Sequence, residues 1–133
     1  MRLVDVCKMS IVALWFSSFS AQATKVFYVL DTSSREQSEL LNEINSFYRK
    51  DNQLAKGVTV IDISPQEQWF VGEVDYFNDR SGDMVANLKP SSIPSLLFVD
   101  DGGRITRTDL KFLQGSGFSA DKLSLLLKRG NRE

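Results

Sequence analysis

Three short runs of β-branched, aromatic and other apolar residues restrict this chain to a layered α/β arrangement. They are Lys25 to Leu30 (Lys-Val-Phe-Tyr-Val-Leu), Val58 to Ile63 (Val-Thr-Val-Ile-Asp-Ile) and Ser95 to Val99 (Ser-Leu-Leu-Phe-Val). Runs of this kind show no clean apolar/polar alternation, which is the pattern of strands buried on both faces. A sheet made of such strands needs helices on its two sides.

Helix punctuation lies where those layers require it. After the first run, Asp31-Thr32-Ser33-Ser34 breaks the strand, and Ser34 with Gln37 or Ser33 with Glu36 reads as a capping box. Leu40, Leu41, Ile44, Phe47 and Tyr48 then form one apolar stripe, with Glu36, Glu39, Asn42, Glu43 and Asn45 on the other face. Ser64-Pro65-Gln66-Glu67 reads as a second helix start, with Phe70, Val74 and Phe77 as its core stripe and Trp69 and Tyr76 on its flank. Asn78 to Asp83 is a polar turn, and Met84 to Leu88 a short helix ending before Pro90. Asp100-Asp101-Gly102-Gly103 is a tight turn leading to a returning strand, Arg104 to Thr108. Gly115-Ser116-Gly117 is a loop, and Ser119 caps a last helix with Leu123, Leu126 and Leu127 inward. The expected order is β-α-β-α-β-β-α, a mixed central sheet covered by helices.

Residues 1–23 read differently. Arg2 and Lys8 precede an apolar stretch from Met9 to Phe16, and Ala21-Gln22-Ala23 fits a small-x-small cleavage site. The expectation is a cleavable signal peptide over 1–23, a single domain over 24–133 and a periplasmic, exported product. The apolar stretch is well short of the roughly 20 residues that span a bilayer, so no stable membrane insertion is expected after cleavage. Cys7, the sole cysteine, precedes the apolar stretch, where it is no lipidation site and would leave with the leader.

What the chain lacks excludes several chemistries. It has no histidine, so an imidazole base, an imidazole metal ligand and a Ser-His-Asp triad are all ruled out. A formal net charge of −1, with both signs mixed along the chain, gives no basic field for nucleic acid. No cofactor and no metal are expected; Asp100-Asp101 with Asp83 matches no calcium-loop spacing. Asp62, Asp75 and Asp79 have no clustered partner in sequence.

At Ser92-Ile93-Pro94-Ser95-Leu96-Leu97-Phe98-Val99-Asp100-Asp101-Gly102-Gly103 the chain resembles the thioredoxin superfamily, whose pattern there is an apolar residue, a cis-proline, Thr or Ser, an apolar strand and a glycine turn. Leu40-Leu41-Asn42-Glu43-Ile44 and Gly115 with Leu123 and Leu126 are similar to further parts of it. The resemblance implies that Asp31-Thr32-Ser33-Ser34 stands where the family carries Cys-x-x-Cys, whose leading thiol is activated by helix N-terminal amides. It also implies a cis Ile93–Pro94 bond beside that loop. Residues 24–133 contain no cysteine, so the scaffold is expected without the reaction.

The resemblance makes Asp31, Thr32, Ser33, Ser34, Ile93, Pro94 and Ser95 a candidate partner-binding groove. Against that, Pro94 can simply fix the start of a strand, and Asp31, Ser33 and Ser34 more often cap a helix than bind an anion or a peptide terminus. Trp69 and Tyr76 are candidate surface anchors, with core packing as the competing role. Exported cysteine-less relatives occur among accessory proteins of conjugative and secretion machinery. The expected function is therefore non-redox binding of another envelope protein or an extended peptide segment. The alternatives are a small-ligand binder or an enzyme of this fold using non-thiol chemistry.

Overall fold

The computed structural model describes residues 24–114 and 117–132; the leader with Cys7, and Gly115 and Ser116 of the expected glycine loop, lie outside them. A five-stranded sheet has the order β3-β2-β1-β4-β5, built from β1 (Lys25–Leu30), β2 (Val58–Asp62), β3 (Asp75–Asn78), β4 (Ser95–Val99) and β5 (Ile105–Asp109). The β1–β2 and β2–β3 pairs are parallel, while β1–β4 and β4–β5 are antiparallel. The helices are α1 (Arg35–Arg49), α2 (Asn52–Ala55), α3 (Asp83–Leu88) and α4 (Ala120–Arg132), with a 3-10 turn at Lys111–Leu113. None of the described helices is long and apolar enough to cross a membrane.

Strand alternation sorts the side chains into two layers. Val26, Tyr28, Leu30, Val58, Val60, Leu96 and Phe98 meet Leu40, Leu41, Ile44 and Tyr48 of α1 and Leu123 and Leu127 of α4. On the other face, Val29, Ile61 and Leu97 meet Leu88 of α3, with Met84, Val85 and Ile93 packed alongside. The Tyr28 and Tyr48 hydroxyls sit within the first layer and satisfy each other at 2.6 Å, as buried polar groups must. Burial pushes the Tyr28 phenol well above its ordinary pKa, and pushes Tyr48 up to about 12.

The hairpin forms as its sequence dictates: Asp100 accepts the N–H groups of Gly102 and Arg104, and Gly103 supplies the positive φ of 87°. Helix α3 follows the polar turn as expected and stops at Lys89, one residue before Pro90. Arg107 of β5 donates to the Leu88 and Lys89 carbonyls at 2.8 and 2.7 Å, closing the helix end.

Three expectations are corrected. The segment after Ser64 is no helix. Its start is a turn in which Ser64 Oγ accepts the Gln66 N–H, and its end is the edge strand β3. Gly72 interrupts the helical spacing, and Val74, Tyr76 and Phe77 favour a strand that β2 is in place to pair. Of the supposed stripe only Val74 is buried, and Phe77 is 47% exposed. The capping box does not close either: Ser34 is the N-cap but makes no side-chain cap bond, and Gln37 Oε1 instead accepts the Asp31 N–H at 2.7 Å. Finally, Asn45 is buried instead of facing solvent, because its Oδ1 accepts the Glu73 N–H at 2.7 Å.

Candidate functional site

The residues of the expected groove lie at one end of the sheet. In the β1–β4 register Val29 pairs with Ser95, so beyond that pair β1 continues into Asp31–Ser34 while Pro94 and Ile93 lead into β4 from the opposite direction. The Ile93–Pro94 bond is cis, and the Pro94 carbonyl accepts the Leu110 N–H at 3.0 Å. Pro94 and Ser95 are buried, Ile93 is half-buried, and the Ser95 hydroxyl has no hydrogen-bond partner among the described residues.

The loop at the head of α1 is closed upon itself. Asp31 Oδ1 accepts both the Ser33 N–H at 3.0 Å and the Ser33 hydroxyl at 2.5 Å. The Ser34 N–H donates to the Asp31 carbonyl at 3.0 Å. Asp31 Oδ1 and the Ser33 hydroxyl are therefore engaged within the turn, the local competition these residue types favour. Thr32 points inward and is buried.

What holds Thr32 is Asp62, at the end of β2, whose side chain is wholly inaccessible to solvent. Its Oδ1 accepts the N–H groups of Thr32 and Ser64, each at 3.0 Å. Its Oδ2 accepts the hydroxyls of Thr32 at 2.6 Å and Tyr76 at 2.5 Å. Four donors on two oxygens match the acceptor capacity of a carboxylate. A signal for this hub was present in the sequence, a lone aspartate inside an otherwise apolar strand. Its partners, 30, 2 and 14 residues away, were not visible.

Through Asp62 the two candidate sets become one. Tyr76 is on β3, not a helix; its hydroxyl also accepts the Gln68 N–H at 3.0 Å, which fastens the loop leading to Trp69. Burial, followed by the Asp62 hydrogen bond, pushes the Tyr76 phenol up to about 12. Phe70 stacks on the Tyr76 ring with centroids 5.5 Å apart, and the Asn45 bond to Glu73 pins the far end. Gly72 permits that close approach, since a Cβ there would meet Asn45 Oδ1 at 2.2 Å. From this anchored loop Trp69 stands 94% exposed, so it packs in no core.

Asp79 receives the Met84 and Val85 N–H groups at the start of α3, at 3.2 and 3.0 Å. No group of three or more metal-ligating side chains occurs among the described residues.

A mixed sheet of this order, with helices on both faces and the β4–β5 hairpin following a cis-proline, is a thioredoxin-like fold. No protein-family model matches the chain, and no curated protein does. Among solved structures, the thioredoxin of Trichomonas vaginalis is similar at 20% identity over 88% of this chain and 87% of that one, with a TM-score of 0.42.

Proposed function

We propose that this protein is an exported, non-redox thioredoxin-like module that binds another protein of the cell envelope, an accessory to a secretion or conjugative transfer assembly. The observation that carries the reading is the head of α1. There the loop is occupied by Asp31–Ser34, with Thr32 tied down by two bonds to a buried carboxylate. The chain has no histidine to activate a hydroxyl of that loop, and residues 24–133 have no thiol. A scaffold that keeps its architecture but lacks reactive groups is best used as a surface. Export rests on the leader pattern of residues 1–23.

The test is capture from periplasmic extract with the protein expressed from its full sequence. A specific partner should be recovered, and Ile93→Ala or Trp69→Ala should weaken its recovery. Failure to recover any partner, or one indifferent to both changes, counts against binding at this end of the molecule. Catalysed reduction of insulin by the purified protein would sink the non-redox half of the reading.

A further inference from the structure

The strongest unexplained feature is the surface beside β3. Trp69 is 94% exposed, Val71 80% and Phe77 47%, all within nine residues. Trp69 and Val71 line one concavity and Phe77 lies on the opposite face of the same edge strand, so exposed apolar side chains flank the edge on both sides, as they do at interaction sites. The loop that carries them is not slack. It is fixed by the Gln68 bond to Tyr76, by the Glu73 bond to Asn45 and by the buried Val74. A rigid aromatic display loses little freedom on binding, which favours affinity.

Two observations define the occupant. First, β3 ends the sheet, and among the described residues nothing pairs with its outer side. The Asp79 N–H donates inward to the Asp62 carbonyl. Backbone groups of a strand alternate in direction, so those of Tyr76 and Asn78 point to the open side and can take an added strand. Second, the charge around the rings has one sign. From Gly57 to Asp79 there is no Lys or Arg, and Glu67, Glu73 and Asp75 are exposed. An open concavity of about 690 Å³ is lined by Glu67, Trp69, Phe70, Val71, Asp75 and Tyr76, and by no cationic residue. Aromatic faces and carboxylates both attract cations: a guanidinium or ammonium over an indole gains a cation–π contact, and a carboxylate close by pairs with it.

We propose that the Glu67–Asp75 loop and the open edge of β3 form a docking surface for an extended segment of a partner protein in which Lys or Arg alternates with apolar residues. The segment lies along β3, its apolar side chains on the face of Phe77 and its cations on the face of Tyr76, where Trp69 and Glu67 line the concavity. This names the partner chemistry of the protein-binding role and rests on it.

The test is panning of a random decapeptide display library against the full-sequence protein, followed by titration of the enriched synthetic peptides read by the fluorescence anisotropy of a dye attached to the peptide. Enriched peptides should carry alternating Lys or Arg and apolar residues, and should bind more weakly as salt rises. Trp69→Ala should weaken binding at least about tenfold, as loss of a central aromatic anchor does. Glu67→Gln combined with Asp75→Asn should weaken it several-fold and flatten the salt dependence. Bound peptide should slow amide exchange at Tyr76 and Asn78. Enrichment of acidic or uncharged peptides, of peptides indifferent to these substitutions, or of none, overturns the proposal. A natural partner lost on Ile93→Ala but retained by Trp69→Ala would also remove this site while leaving the protein-binding role standing.

Discussion

Asp62 ends β2, Asp100 follows β4, and both gather backbone N–H groups, yet they do different work. Asp100 accepts from Gly102 and Arg104, and its side chain pairs with the Arg104 guanidinium at 3.4 Å. Every partner is within four residues, so the carboxylate shapes a hairpin turn and little else. Asp62 takes donors from the loop after β1, from the residue that follows β2 by two, and from β3. One carboxylate is a local turn former in reach of water; the other is a buried junction on which three strands' ends depend. Position in the fold, not residue type, sets what each contributes.

The largest effect expected from this contrast is that of Asp62→Ala. It leaves the Thr32 N–H and hydroxyl, the Ser64 N–H and the Tyr76 hydroxyl without their acceptor, mostly in buried surroundings. Leaving even one buried donor unsatisfied costs about 1–3 kcal/mol, so the loss in a urea unfolding experiment should reach about 3 kcal/mol or more. A loss below about 1 kcal/mol would mean that these donors find other acceptors and that Asp62 is no junction. The matching change Asp100→Ala should move the midpoint far less, because its donors face solvent and can bond water.

The same buried network makes a prediction at high pH. All three tyrosines of the chain, Tyr28, Tyr48 and Tyr76, have phenols shifted upward, the last two to about 12. In an unfolded chain they ionise near about 10. The folded state therefore holds these protons more tightly than the unfolded one. Their contribution is intact below about pH 10 and is lost as pH rises from there through about 12. Tyrosinate absorbance should stay flat through pH 10 and rise together with loss of structure above it. One phenol titrating near 10 in the folded protein would break the network at that residue. Asp100 works in the opposite direction. The Arg104 N–H, first among its causes, holds its carboxyl below the usual range, so its small contribution is present at neutral pH and is lost as pH falls through that lowered value.

This contrast also marks what could be read from the residues alone. β1, β4 and the Asp100–Gly103 turn were legible because their determinants are local: consecutive apolar residues, and turn formers within four positions. The short α3 and its stop before Pro90 were legible for the same reason. The β3 strand was not, because Phe70, Val74 and Phe77 keep a helical spacing while the deciding interactions come from elsewhere. Tyr76 bonds Asp62, and the Asn78 amide donates to the Asp62 and Ser64 carbonyls. Asn45 shows the same limit, polar by type but buried to hold Glu73. Asp31–Ser34 and Ile93–Ser95 lie at one end of the sheet, but the link from Thr32 to Tyr76 and Trp69 runs through a carboxylate that had no visible partner in sequence.

The smallest expected effect is also the sharpest check on the surface beside β3. Trp69→Ala removes the bulkiest side-chain type in the chain from a position 94% exposed, fixed by backbone and neighbouring bonds that the indole does not make. Stability should therefore change by no more than about 0.5 kcal/mol, as for surface positions without special roles. In keeping with this, Trp69 emission, read in a Trp15→Phe background, should lie at the long-wavelength, water-exposed end and be readily quenched by iodide. A loss above about 1 kcal/mol would put the indole in the range of truncated packing side chains. It would mean that the ring folds back over the Glu67–Asp75 concavity in solution and satisfies itself there. Trp69 would then belong with Asp62 among the groups that hold the fold, and the open surface beside β3 would have no anchor to offer a partner.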